Sequence, residues 1–176
     1  MFSLFKKKQA QSEPPLKKKI KDMKQGSIKR SGIKKIAKPV LILSIIRGIE
    51  NGTFRYNRFI FEDLERIYND IFEQYTIIAQ QSEKTDLTYP FYYLQTDEFW
   101  HLSFYNHNEI RTTSPSTAWV RRNVEYAYVD EELWLLLHNS DYRLRIKNFI
   151  IETKIRSIKE NHSPLIKHFI GWLLAI

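Results

Sequence analysis

Seven of the ten residues from Val40 to Ile49 are large aliphatics, spread around the helical circle and interrupted only by Ser44, Arg47 and Gly48. Pro39 ahead of the run and Asn51-Gly52 behind it frame a helix, because proline suits a first turn and Asn-Gly suits its termination. A helix that is apolar nearly all round has no face to give to water, so the remainder of the chain must enclose it. This segment therefore predicts a central buried helix, and the rest of the sequence reads as its cover.

The cover alternates helical and extended patterns. Asn57 to Phe61 reads as a short extended segment, followed by an amphipathic helix from about Glu62 to Ala79 with Leu64, Ile67, Tyr68, Ile71, Phe72 and Tyr75 on one side. After a polar loop over 80–88, two aromatic runs, Tyr89 to Leu94 and Phe99 to Phe104, flank a turn at Gln95 to Glu98, and the second is predicted as a strand. Thr112 to Ser116, with Pro115, reads as a loop into a short helix bearing Trp119, Arg121 and Arg122, and Glu125 to Val129 as extended. Asp130 is expected to cap a helix holding Leu133, Trp134, Leu136 and Leu137, Ser140 another running to about Arg156, and Ser163-Pro164 a last one over Leu165 to Leu174. The fold class expected is α+β, mostly helical, one compact domain over 36–176 with short strands. No internal repeat is visible.

Charge divides the chain. Residues 1–38 hold thirteen Lys or Arg against Glu13 and Asp22, whereas residues 39–176 hold fifteen basic and eighteen acidic side chains, so the net +8 resides at the N-terminus. Two lysine triplets, Pro14-Pro15 and Gly26-Ser27 leave few large apolar residues over 1–35, which reads as a disordered basic tail with a transient helix near Leu16 to Met23. Such a run serves equally as a solubilising tail or as an arm for phosphates. The absence of cysteine excludes disulfides and thiolate metal sites and fits a reducing, cytoplasmic setting. No stretch approaches the ~18 apolar residues of a membrane span.

Catalytic chemistry finds little support. A metal-dependent nuclease needs His, Asp or Glu converging on a divalent ion, but His101 and His107 flank an aromatic stretch, His138 ends a helix, and His162 and His168 stand apart near the C-terminus. Gly-rich phosphate loops, Gly-x-Ser-x-Gly and His-Glu-x-x-His are absent from the sequence. The acidic pairs Glu62-Asp63 and Glu131-Glu132 fall in predicted first turns, where they complement the helix dipole. Catalytic residues, metal ligands and cofactors are all expected to be none.

Three stretches carry a resemblance: Ala37-Lys38-Pro39 running into Val40-Leu41-Ile42-Leu43, Tyr89-Pro90-Phe91-Tyr92-Tyr93-Leu94, and Phe99-Trp100-His101-Leu102. In order and spacing they resemble the sulfur-binding domain of McrA-type phosphorothioate-dependent HNH restriction endonucleases. The likeness continues through Pro115-Ser116, Val129 to Leu133 and Ile150 to Ile155. The resemblance implies a non-enzymatic reader of double-stranded DNA carrying a phosphorothioate linkage, part of a restriction-type bacterial defence system, with a separate nuclease subunit as companion and no membrane. It assigns Lys38 to the basic position before the first core helix and Tyr89 and Pro90 to the wall of a sulfur pocket. The family's base-reading arginine falls at Ser116 or Thr117, neither basic, with Arg111, Arg121 and Arg122 as nearby substitutes able to contact guanine or phosphate. Without the resemblance, Tyr89-Pro90 reads as an ordinary turn on the core. The alternative function is a protein-interaction module with an aromatic surface and a basic tail.

Overall fold

The computed structural model describes residues 15–105 and 111–156. Helices α1 (Pro15–Asp22), α2 (Ala37–Glu50) and α3 (Phe61–Ala79) come first, then α4 (Thr88–Tyr93) with a 3-10 turn over Leu94–Asp97. Strand β1 (Trp100–Phe104), helix α5 (Thr117–Asn123), strand β2 (Val124–Val129) and helices α6 (Glu131–Leu137) and α7 (Ser140–Ile150) follow, and α7 continues into a π-helical turn over Ile151–Arg156. The fold is α+β and mostly helical, as expected. Among the described residues no helix is long and apolar enough to cross a membrane. The expected Leu165 to Leu174 helix lies outside the described residues.

α2 is the central helix its composition demanded. Every residue from Val40 to Ile46 is buried, Ser44 among them. That hydroxyl is satisfied within the helix, donating to the Val40 carbonyl at 2.8 Å. α3, α4 and α7 pack around it. The β1–β2 ribbon is antiparallel, pairing Trp100 with Val129, His101 with Tyr128 and Leu102 with Ala127, and a bulge falls between Ser103 and Phe104. Period-two alternation sends Trp100, Ala127 and Val129 inward and leaves His101, Tyr126 and Tyr128 on the open face. The predicted extended segment at Asn57 to Phe61 is reduced to one bridge, Phe59 with Ala127. Asn57 supplies the next rung with its side chain, accepting from the Val129 N–H (3.0 Å) and donating to the Val129 carbonyl (2.7 Å).

An aromatic chain knits these layers. Phe61 meets Phe91 edge-on, Phe91 meets Trp100 edge-on, and Trp100 stacks on Phe59 with centroids 5.5 Å apart and planes at 3°. Phe59 in turn takes Phe54 and Trp134 against its edges. Rings in such geometries add roughly 0.5–1.5 kcal/mol per pair beyond the area they bury.

Three expectations are corrected. Asp130 stands at the start of α6, but its carboxylate accepts no helix N–H; it binds His101 Nε2 at 2.6 Å and lies 3.6 Å from Lys19 Nζ. α7 is capped by Asn139, whose Oδ1 accepts from the Tyr142 N–H at 2.9 Å, and Ser140 is its first residue. Third, residues 15–35, expected to belong to a disordered tail, are folded onto the domain. Leu16, Ile20 and Met23, spaced at i, i+4 and i+7, are buried, and α1 packs on α7. Lys154 Nζ donates to the carbonyls of Lys21 (2.8 Å) and Met23 (3.2 Å), placing a cation at the C-terminal end of α1 where the helix dipole is negative. Burial pushes the Lys154 ammonium below the ordinary lysine range, and the fields of Asp22 and Asp97 oppose that shift. Residues 24–35 close a turn around the Ser27–Lys34 bridge, with Gln25 Nε2 donating to the Lys35 (3.0 Å) and Lys154 (3.2 Å) carbonyls. Residues 1–14 lie outside the described part.

Two stability predictions follow from this packing. Ile20→Ala should lower unfolding stability by about 2–4 kcal/mol through lost burial and a residual cavity, while Lys18→Ala, on the exposed face of α1, should change it by less than ~0.5 kcal/mol. A tail without tertiary contacts would show no difference between the two in urea unfolding. Gly48→Ala should also destabilise, because a Cβ there would lie 2.2 Å from two ring carbons of the buried Phe54. The ~1 kcal/mol helix-propensity gain from replacing glycine is outweighed by an overpacking cost of about 1–3 kcal/mol. A raised Tm for Gly48→Ala would show that Phe54 yields freely.

Candidate functional site

The segment around Tyr89 is built by local capping. Asp86 Oδ1 accepts the Thr88 N–H at 2.7 Å, turning the chain into α4. Pro90 then falls in the first turn, where its missing N–H costs no intrahelical bond. The short helix is half committed to the core: Phe91 and Pro90 are buried, while Tyr89 stands out with 53% of its surface exposed. Trp100 Nε1 donates to the Phe91 carbonyl at 2.7 Å, pinning α4 to β1 from within the core.

Two tyrosines of α4 hold the loop beyond β1. Tyr92 Oη accepts the Thr112 N–H at 2.9 Å, and Tyr93 Oη donates to the Thr113 carbonyl at 2.9 Å. The Tyr92 ring also lies edge-on against Trp119 of α5. Ser116 caps α5, its Oγ accepting from the Trp119 N–H at 3.1 Å, and the hydroxyls of Thr88 and Thr117 meet at 2.8 Å. The starts of α4 and α5 are thus tied together at Thr88, immediately before the exposed Tyr89 and the buried Pro90 in sequence. The Thr117 hydroxyl is engaged in this joint and the Ser116 hydroxyl in the cap of α5.

The basic candidates are placed differently. Lys38, in the first turn of α2, pairs through Nζ with the carboxylate of Asp97 at the end of the 3-10 turn and approaches Thr96 Oγ1 at 3.4 Å. It therefore engages the turn that ends α4, not Tyr89 at its start. Arg121 faces α3, with Nε 3.1 Å from Glu62 and Nη2 3.1 Å from Glu65, and its guanidinium lies over the Phe61 ring. Glu62 consequently does more than complement the α3 dipole. Arg122 is exposed and has no ion-pair partner among the described residues, and Arg111 is exposed as well. The structure ties Thr117 to Thr88, the residue before Tyr89, and holds Lys38 and Arg121 in ion pairs with carboxylates.

Among the described residues no group of three His, Asp or Glu side chains is placed to hold a metal ion. His101 is bound to Asp130, and His138 ends α6 edge-on to Trp134; His107, His162 and His168 lie outside the described part. A separate shallow concavity covers the open face of the ribbon, lined by His101, Tyr126, Tyr128, Asn57, Arg58 and Glu131 among others, and it includes none of the candidate site residues. Sequence reasoning missed Asp97 as the partner of Lys38 and the tethering hydroxyls of Tyr92 and Tyr93. A carboxylate 59 positions away leaves no local pattern, and two tyrosines on a short aromatic helix read only as core.

Tyr92→Phe should leave the fold intact but strip the Thr112 amide of its acceptor. Hydrogen exchange followed by NMR should show that amide exchanging about tenfold faster or more, consistent with losing a bond worth roughly 1–1.5 kcal/mol. Unchanged protection at Thr112 would mean the loop is positioned by something else.

A protein-family model described as ScoMcrA-like, DNA sulfur-binding domain, matches residues 13–169, beginning ahead of α1. Two solved structures share the fold. One is described as the sulfur binding domain of ScoMcrA complexed with phosphorothioated DNA, with TM-score 0.58 and 16% identity over 89% of this chain and 96% of that one. The other, the sulfur binding domain and SRA domain of ScoMcrA complexed with phosphorothioated DNA, gives TM-score 0.61 and 15% identity over 80% of this chain. The chain spans 43% of the length of that two-domain structure. No curated protein matches the sequence.

Proposed function

Because this chain belongs to the family of ScoMcrA-like DNA sulfur-binding domains, we propose that it reads phosphorothioate-modified double-stranded DNA within a restriction-type defence system. In this reading the domain works in the cytoplasm, has no cleavage chemistry of its own and hands that step to a separate nuclease subunit. The observation that carries the proposal is the joint between α4 and α5, where the Thr88 and Thr117 hydroxyls meet and the next residue, Tyr89, is exposed.

The chemistry of the linkage favours such a surface. Sulfur in place of a non-bridging oxygen is larger, more polarizable and a poorer hydrogen-bond acceptor, so ring carbons can replace its water at little cost. An oxygen pressed against the same rings loses hydrogen bonds that nothing returns. Tyr89 forms the exposed wall in this account, with Pro90 buried next to it in the chain, and Lys38 neutralises the backbone charge common to both linkages. Ser116 and Thr117 sit where the family's base-reading arginine falls, and their hydroxyls are engaged in the α5 cap and in the contact with Thr88. Base contact therefore passes to Arg122 or Arg111, with Arg121 reserved for α3. The lysines of residues 1–35 add attraction that carries no sequence information.

Matched duplexes with and without one phosphorothioate test the reading. The wild-type protein should prefer the modified duplex, and Tyr89→Ala should erode that preference by about 1 kcal/mol, roughly fivefold. Lys38→Ala should weaken binding to both duplexes by similar factors. Arg122→Ala should alter the preferred sequence if it reads a base and lower affinity uniformly if it holds phosphate. With Mg²⁺ or Mn²⁺ both duplexes should remain uncut. Equal wild-type affinity for the two duplexes across a range of salt would sink the proposal and return the aromatic surface to protein contact.

A further inference from the structure

Lys38 and Arg121, two of the cations that the resemblance places near DNA, are already held by carboxylates: Arg121 by Glu62 and Glu65, and Lys38 by Asp97. The Lys38–Asp97 pair is the most enclosed ion pair among the described residues, its side chains only 15% and 10% exposed. The Arg121 pairs lie on the protein surface, where solvent screens them. An ammonium in contact with a carboxylate adds little to the long-range field that draws a polyanion, and a phosphate must compete for it at short range. Other cations lie in the neighbourhood of Asp97. Lys154 lies within its field, and Lys19 Nζ donates to the carbonyl of the next residue, Glu98, at 2.8 Å.

We infer that Asp97 is a built-in competitor for Lys38, holding the ammonium in the free protein and yielding it to the DNA backbone on binding, so that it sets absolute affinity and not the choice between sulfur and oxygen. This rests on the DNA-reading function proposed above. Phosphate and phosphorothioate linkages each carry one negative charge, so a competitor for the cation penalises both alike. Discrimination stays with the apolar wall. The consequence is that unmodified DNA, held by charge without the wall, is bound weakly, and modified DNA keeps its margin.

Asp97→Asn removes the charge and keeps an acceptor for Lys38. Both duplexes should then bind about tenfold more tightly at low salt, their affinity ratio should stay within about twofold of wild type, and the slope of log K against log salt should steepen by roughly one. Glu98→Gln removes the same charge one residue away and should gain less than about twofold. In a Lys38→Met background, Asp97→Asn should gain no more than Glu98→Gln does. A gain no larger than that of Glu98→Gln, or one that persists without Lys38, overturns the inference, as would weaker binding caused by a misplaced lysine. Should Asp97→Asn fold poorly, the unaltered protein decides: the Asp97 carboxylate carbon resonance must shift on saturation with either duplex, and a stationary signal refutes the exchange. A wild-type ratio of one would defeat the sulfur reading alone, since the Asp97 effect is read from absolute affinities and salt slopes.

Discussion

The contact between Phe91 and Trp100 is the constraint on which the described structure depends. The rings meet edge-on, and the indole N–H of Trp100 donates to the Phe91 carbonyl at 2.7 Å, so one pair joins α4 to β1 by both packing and a buried hydrogen bond. A buried indole N–H without a partner would cost about 1–3 kcal/mol, and the bond removes that penalty while fixing the direction of α4. From this pair the ring chain runs to Phe61 at the start of α3 and through Phe59 to Trp134 of α6. The orientation of α4 then dictates where Tyr89 points and where Tyr92 and Tyr93 can catch the loop at Thr112 and Thr113. Site and core are therefore a single packing problem, solved mainly with aromatic side chains.

Much of this was legible in the sequence where the signal was local. Pro39 and Asn51-Gly52 bracket an apolar run, and α2 spans Ala37–Glu50. α3 was read from its apolar stripe to within one residue at its start. α1 carried the same kind of signal in Leu16, Ile20 and Met23, but four lysines among eight helical positions obscured it and favoured a disordered reading. The lysines occupy the solvent side of a helix whose apolar edge is narrow yet sufficient to dock. At the caps of α6 and α7 the residue choice was ambiguous: adjacent Asn139 and Ser140 can both cap, and Asp130 is drawn away by His101, a partner visible only in three dimensions.

The candidate site was less legible for the same reason. Tyr89-Pro90 entered through resemblance to a family and would otherwise have passed as a turn. The pairing of Arg121 with Glu62 and Glu65, and of Lys38 with Asp97, joins residues more than 50 positions apart. Such partners decide whether a basic side chain is available to a polyanion, and no periodicity announces them. Charge counting along the chain correctly placed the excess at the N-terminus but could not say that part of it lies on a docked helix.

The docking of α1 on α7 also bears on how the chain is made. Bonds from Gln25 and Lys154 span sequence separations of 129 to 133 residues, so the first described helix waits for nearly the last described one. At typical synthesis rates of about 5–20 residues per second that interval is on the order of ten seconds. During it, a lysine-rich segment with Leu16, Ile20 and Met23 uncovered is attached to a ribosome whose surface is RNA. Contacts of such high sequence separation also slow the final closure. The newborn domain thus passes through a stage in which its basic helix is an adhesive strip, and completion of α7 is the event that withdraws its apolar edge from the surroundings.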